Sequence, residues 1–592
     1  MTSFPLSTWR VLAALLVLGL IGLPAQAQNG PASSDNPPPP RTSTDGPTAE
    51  DANIPTSAET WSMYGKGYDQ THHSPLNQIN AENVGDLEVA WIFPLGVLEA
   101  HEGTPLMVNE TLYVTTPKGP EKVFAIDAAT GRMKWQRQFE IPGDVSRFAC
   151  CGIVNRAFAY AGGRLFLGTL HGHLMALDAE TGETLWDIEA VDYKQGSVIT
   201  SPPLVVGEKV ITGFGGGEYG ARGKLQAFNV SDGSKVWETW TIPEDVADTW
   251  KGDSWRTGGA APWFTGSYDP EVNLIYWGTS NPSPWAAPVR GPDTSDYGDM
   301  TNLYSASTLA LDPDTGEIKW HYQTTPYDAW DYDGTNEKML VDLEIDGEMR
   351  QVAMQADRNG FFYINDRVTG ELISAEPFVP VNWAEGVDLE TGRPIEVPEK
   401  RPTAENNAED LHPSFLGGKN WEPMAYNPNT GLVYIPANDL TMDMEAEAEL
   451  AYNRGFFYLG AEWEMETGTS GSPGHLKAWD PVNSEEVWNV PQKFPINGGV
   501  LTTGSDLVFF GNLEGDFKAF HAENGDELWS FNVGSGVNSA PMTYSVDGTQ
   551  YVALTVGRPT VIPGFVGGEL GKQMVEATPA GGSLVVFKLD ED

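Results

Sequence analysis

Cysteine is almost missing from this 592-residue chain: the two present, Cys150 and Cys151, are adjacent. Adjacent cysteines cannot form the Cys-x-x-Cys-His string that attaches a c-type haem. Basic residues are scarce as well, 35 Lys and Arg against 82 Asp and Glu, for a formal charge of −47. Nucleic acid and anionic membrane surfaces would repel such a chain and are excluded as partners. Long apolar runs are missing beyond the first 23 residues, which excludes a membrane-spanning helix in the body of the protein. Helical periodicity is scarce too, the best candidate being the acidic stretch 439–450.

The N-terminus has the pattern of an export signal. Arg10 precedes the apolar run Val11–Leu23, and Ala25-Gln26-Ala27 follows as a small-x-small cleavage site. Residues 1–27 are therefore expected to be a signal peptide, with the mature protein outside the cytoplasm. Residues 28–58, rich in Pro, Ser, Asp and Thr, are expected to form a disordered leader, leaving 59–592 as the folded body. In an oxidising compartment neighbouring thiols would pair into a strained ring, which suits a functional site better than a staple. Two buried free thiols are the alternative.

What the chain has in abundance is glycine, proline and tryptophan, at 65, 43 and 20 residues. Their placement reveals a repeat. AIDAATGRMKW (125–135), ALDAETGETLW (176–186), AFNVSDGSKVW (227–237) and ALDPDTGEIKW (310–320) share one frame. AWDPVNSEEVW (478–488) and AFHAENGDELW (519–529) are close to it, YINDRVTGELI (363–373) has Ile373 in place of Trp, and a weak copy ends at Trp91. Each frame reads as an apolar strand, an Asp-initiated turn with Gly at the positive-φ position, and a returning strand that ends in Trp. Another strand pair lies upstream of each frame, giving four antiparallel strands per unit. That is the makeup of a propeller blade, and the repeated copies predict an all-β β-propeller. A span of 83 residues separates Trp237 from Trp320, and 115 separate Ile373 from Trp488. These spacings require inserted loops, where ring proteins tend to carry function.

Several strings break the frame. HEGTP (101–105) holds Glu102, and CCGIVNR (150–156) holds Arg156 beside the cysteines. GFGGGEYGARG (213–223) holds one acid, Glu218, and GTSNPSPW (278–285) holds Asn281. AWDYDG (329–334) holds Asp331 and Asp333, DRNG (357–360) holds Arg358, and GKNW (418–421) holds Asn420. Singly, each has a structural explanation as a turn cap or a bend. Together, Glu, Asn and two Asp are the oxygen ligands of a hard cation.

The adjacent cysteines, the Trp-ended repeats and the strings GGGEYGARG, GTSNPSPW, WDYDG and DRNG resemble the quinoprotein alcohol dehydrogenases that use pyrroloquinoline quinone (PQQ). The resemblance runs from about residue 59 to the end. It implies an eight-bladed β-propeller with PQQ and a metal ion in the axial funnel, in the bacterial periplasm. By motif, Cys150 and Cys151 would form a vicinal disulfide on one face of PQQ, with Trp263 stacked on the other. Glu102, Arg156, Thr200, Gly216, Gly217, Arg358 and Asn420 match positions that hold PQQ oxygens. Glu218 and Asn281 match metal ligands, and Asp331 matches the catalytic base as well as a metal ligand. An Asp at position 333 resembles the lanthanide-dependent branch, because a trivalent hard ion favours an additional carboxylate.

The implied reaction is oxidation of a primary alcohol to an aldehyde, with electrons passed to a separate periplasmic c-type cytochrome; the family also suggests a homodimer. Two departures from the methanol-oxidising pattern, Ala261 where threonine is common and INGGV (496–500) where a Trp-Gly-Gly string is common, point to ethanol-like substrates alongside methanol. The rival readings are a Ca²⁺-dependent dehydrogenase of the same architecture and a non-catalytic propeller scaffold.

Overall fold

A computed structural model describes residues 46–590. The expected signal peptide and the first part of the leader lie outside the described residues. Eight antiparallel four-strand units follow one another along the chain, and the seventh is extended to five strands by His73–Ser74, which pairs parallel with Val500–Thr503. The first is β1 to β4 (Leu106–Val108, Thr111–Thr115, Lys122–Asp127, Met133–Gln138), and the other blades repeat that order. The eighth takes three strands from the C-terminal end (Met542–Val546, Thr549–Gly557, Gly582–Leu589), and its outermost strand comes from Leu87–Pro94. That strand pairs antiparallel with Gly582–Leu589, so the start and end of the ring are closed by sheet hydrogen bonds. The weak repeat copy ending at Trp91 is thus the outer strand of the last blade.

In six blades the tryptophan sits beside a bulge and faces an alanine on the neighbouring strand, as in Trp135 opposite Ala125, Trp186 opposite Ala176 and Trp237 opposite Ala227. Across the blade boundary, the Trp135 indole N–H donates to the Ala179 carbonyl at 3.0 Å and that of Trp237 to the Pro313 carbonyl at 2.9 Å. The glycine of the next blade's turn lies flat against the ring. A Cβ at Gly316 (φ +74°) would come within 2.6 Å of Trp237, and one at Gly182 (φ +74°) within 2.7 Å of Trp135. Gly and Trp in the repeat are therefore an inter-blade pair, in which glycine supplies both the left-handed turn and the flat seat.

Two expectations are corrected. The stretch 439–450 is not a helix: Leu440–Ala446 is a strand, with Leu440, Met442 and Met444 buried and Asp443 and Glu445 exposed. That alternation has the period of a strand, and its acidic exposed residues resemble those of a helix surface. Residues 46–58 also belong to the folded body. The Gly46 N–H donates to the Pro270 carbonyl, and Ala52 and Ile54 are buried among side chains of the second to fourth blades. A polar, Pro-rich composition concealed these two apolar anchors. No helix among the described residues is long and apolar enough to cross a membrane.

In a four-strand meander, the loop joining strands two and three and the connection to the next blade emerge at the same end of the sheet. The repeat's Asp-initiated turns join strands three and four at the opposite end. Every long insertion uses the first end: 241–266 and 279–306, 378–424 and 439–473, and 558–581 with its helices Ile562–Val566 and Gly568–Ala577. One rim of the ring carries regular turns, and the other carries the loops that build a site.

Candidate active site

At the looped end lies a cavity of about 370 Å³. Its walls include Glu102, Cys150, Cys151, Arg156 and Thr200, from the connections joining the eighth blade to the first, the first to the second and the second to the third. Gly216 and Glu218 come from the third blade's inner loop, and Trp263, Asp331, Arg358 and Asn420 complete this set. Gly217, Asn281 and Asp333 stand directly behind it. A Cβ at Gly217 would meet Asn281 Oδ1 at 3.3 Å, and the Asn281 backbone N–H donates to Asp333 Oδ1 at 2.6 Å. The ring thus gathers residues more than 300 positions apart in sequence into one funnel.

Cys150 and Cys151 are joined by a disulfide, which decides between the two alternatives their spacing left open. Their sulfurs and a Glu218 carboxylate oxygen lie within 4.8 Å of one another. Arg156 pairs with Glu102 at 2.8 Å, and its backbone N–H donates to the Thr200 carbonyl. The Arg156 guanidinium sits 5.3 Å from the Trp263 ring and 4.6 Å from that of Trp421. Burial pushes the Glu102 carboxyl up to about 7, against the pull of Arg156.

The acidic corner is tightly organised. Arg358 donates to Asp331 Oδ2 at 3.1 Å and to the Asp331 carbonyl at 3.0 Å. Its other terminal nitrogen reaches Asp333 Oδ2 at 3.0 Å and Asn420 Oδ1 at 3.2 Å. Asp333 also accepts from Trp263 Nε1 at 2.8 Å, so it anchors the tryptophan as well as the arginine. Beyond one local contact from the Thr335 hydroxyl at 3.3 Å, its partners lie far away in sequence, so Asp333 does more than cap the turn at Gly334. Asp331 occupies the left-handed region (φ +63°) while fully enclosed, a conformation that Asp tolerates and that clusters at functional sites.

Two buried carboxylates, Asp331 and Asp333, and the half-buried Glu218 surround one guanidinium. Burial, reinforced by Asp333, pushes Glu218 up to about 7, and burial drives Asp331 well above the carboxylate range. Asn281 Oδ1 and Asp331 Oδ1 are buried with no hydrogen-bond partner. Surplus negative charge and orphaned oxygens in an all-oxygen donor set fit a hard metal cation. The wider cavity fits a flat anionic cofactor: the disulfide and Trp263 both border it, and Arg156 and Arg358 face it.

Some lining residues carried no sequence signal. Trp285, Phe415, Trp463 and Phe565 form an aromatic wall, with ring centroids 5.3 Å apart for Trp285–Phe415, 5.0 Å for Phe415–Trp463 and 5.5 Å for Phe415–Phe565. An aromatic residue lining a cavity has the same sequence appearance as one in a core. Trp421 and Glu422 follow Asn420 directly, and that adjacency was the available clue.

Comparison with known proteins agrees with this geometry. Residues 61–412 and 460–552 match the PQQ family described as glucose/ethanol/alcohol dehydrogenase, beta-propeller domain. The chain is 41% identical over 552 residues to the quinoprotein alcohol dehydrogenase PedH of Pseudomonas putida, covering 89% of this chain and 90% of that protein. It is 38% identical over 574 residues to the lanthanide-dependent methanol dehydrogenase of Methylacidiphilum fumariolicum, covering 90% and 92%. Among solved structures, a europium-containing methanol dehydrogenase superposes with a TM-score of 0.86 at 38% identity, covering 90% of this chain and 98% of that one. The chain belongs to the PQQ-dependent quinoprotein alcohol dehydrogenases.

Proposed function

We propose that this protein is a periplasmic dehydrogenase that oxidises ethanol-like primary alcohols, and methanol, to aldehydes, using a lanthanide ion and a separate c-type cytochrome as electron acceptor. The observation that carries the metal assignment is the corner of Glu218, Asp331, Asp333 and Asn281. Its three carboxylates exceed the single charge of Arg358, and a trivalent ion offsets more of that surplus than a divalent one.

When bound, PQQ supplies a quinone that accepts two electrons, and the metal supplies Lewis-acid polarisation. The Cys150–Cys151 disulfide and Trp263 would flank the bound cofactor, and Glu102, Arg156, Thr200, Gly216, Gly217, Arg358 and Asn420 would hold its oxygens. Asp331 takes the hydroxyl proton of the alcohol, positioned by its two contacts with Arg358. Arg358 and a neighbouring cation both favour the ionised carboxylate that this role needs, against the opposing effect of burial. The aromatic wall of Trp285, Phe415, Trp463 and Phe565 excludes water and receives the carbon chain of the alcohol.

One observation favours a Ca²⁺ alternative: both Asp333 oxygens already accept hydrogen bonds, from Asn281, Trp263 and Thr335, so Asp333 has a positioning role that needs no lanthanide. Apoprotein reconstituted with PQQ and either La³⁺ or Ca²⁺, followed by ethanol-dependent dye reduction, separates the two. Activity with La³⁺ and little with Ca²⁺ is expected. Activity with Ca²⁺ alone contradicts the lanthanide assignment, and inactivity with both contradicts the alcohol oxidation.

A further inference from the structure

Glu422 is a carboxylic acid in the cavity wall that neither the fold nor the reaction above uses. It is 1% exposed, and neither of its carboxylate oxygens meets a donor on another residue. The cations that could pair with it are committed elsewhere. Arg156 holds Glu102 at 2.8 Å, and Lys419 holds Glu337 at 2.8 Å, both partners of the latter pair being wholly buried. Arg358 is shared among Asp331, Asp333 and Asn420. Glu422 is thus a surplus carboxyl on the wall bearing Glu102 and Arg156, where an anionic cofactor must dock. An ionised Glu422 there would repel the cofactor's carboxylates, whereas a neutral one would offer an O–H donor.

We propose that Glu422 is a cofactor-positioning residue that acts as the neutral acid, donating its O–H to an oxygen of PQQ, so that cofactor docking takes up a proton from solvent at this side chain. The proposal rests on the PQQ reading. Burial pushes Glu422 up to about 7, with the Glu102 charge adding to the rise and Lys419 and Arg156 opposing it. The other titratable or charged groups facing it are the Tyr64 hydroxyl, which burial raises far above its usual range, and Arg358. The sign follows: the donor form is present below about pH 7 and is lost as pH rises through it, so PQQ affinity falls on the alkaline side.

Calorimetric titration of PQQ into the full-length protein freed of cofactor, at fixed La³⁺, tests this. Runs in buffers of different ionisation enthalpy count the protons taken up. At pH 8 the wild type is expected to take up more protons than Glu422→Gln, by a number approaching one. Above pH 7 the wild-type Kd is expected to rise by up to about tenfold more per pH unit than that of Glu422→Gln, whose amide keeps a donor at every pH. Glu422→Ala, which lacks a donor, is expected to bind more weakly than Glu422→Gln throughout. Comparison between variants cancels proton changes at Glu218 and Asp331, and a Glu102→Gln background, in which the same difference between the Glu422 protein and its Glu422→Gln variant is expected, removes the carboxyl coupled to Glu422. Equal proton uptake and parallel pH curves in the wild type and Glu422→Gln overturn the proposal and leave the PQQ reading intact. A wild type that binds no PQQ overturns that reading and the proposal with it. If Glu422→Gln does not fold, the infrared difference spectrum of the wild type on PQQ binding decides: a new carbonyl band of a protonated carboxylic acid supports the role, and its absence overturns it.

Discussion

Asp331 and Asp333 stand two positions apart and do different work. Asp331 presents an unpartnered Oδ1 in a corner of the cavity, held by Arg358 in a left-handed backbone conformation. Asp333 stands directly behind the cavity wall and ties Trp263, Arg358 and the Asn281 backbone together. Asp331→Asn would remove the proposed proton acceptor while keeping the shape, so alcohol-dependent dye reduction is expected to fall by about 10²–10⁴-fold with PQQ still bound, as read from its absorption. Asp333→Ala loses a carboxylate and also frees the Trp263 indole. Weaker La³⁺ binding in a metal titration is expected, together with a change in Trp fluorescence. Unchanged La³⁺ affinity would remove Asp333 from the ligand set. These roles were legible in AWDYDG only through family resemblance, because spacing does not show which of two neighbouring acids turns inward. Glu422 and the aromatic wall were not legible, since burial without a partner becomes visible only when the ring closes.

At the scale of the strand and turn, the repeat was readable because it is local. An Asp-initiated turn, a glycine and a tryptophan within eleven residues fix two strands and their bulge. What locality concealed is that Gly and Trp of one copy serve different neighbours: Gly316 seats Trp237 of the preceding blade, and Gly182 seats Trp135. Trp237→Ala is expected to cost about 3–5 kcal/mol by leaving a cavity between blades. Gly316→Ala also destabilises, because the new methyl group meets that ring within 2.6 Å and the turn has φ +74°. Denaturant unfolding of the two single variants and the double variant measures both effects. Since both changes act on one contact, their sum should exceed the cost of the pair. The acidic segment Leu440–Ala446 has the charge of a helix surface but the alternating burial of a strand, and only the latter sets its conformation.

Across the whole molecule, stability and chemistry are divided between the two rims of one ring. Regular turns occupy one rim, and the interruptions of the repeat occupy the other, where eight blades bring Glu102 and Asn420 to the same cavity. Sequence spacing identified the interruptions, but their convergence depends on ring closure through Leu87–Pro94, a pairing between residues about 500 positions apart. The charge of −47 acts at this scale as well. Electron transfer to a basic c-type cytochrome is expected to slow as ionic strength rises, while reduction of a small neutral dye does not. A salt-independent rate would show that charge does not steer the encounter. If one cofactor and metal funnel lies at the looped rim, anomalous diffraction from crystals loaded with PQQ and La³⁺ is expected to show a single strong La³⁺ peak within coordination distance of Glu218, Asn281, Asp331 and Asp333. A peak elsewhere, or none in a protein shown to bind PQQ, overturns that arrangement.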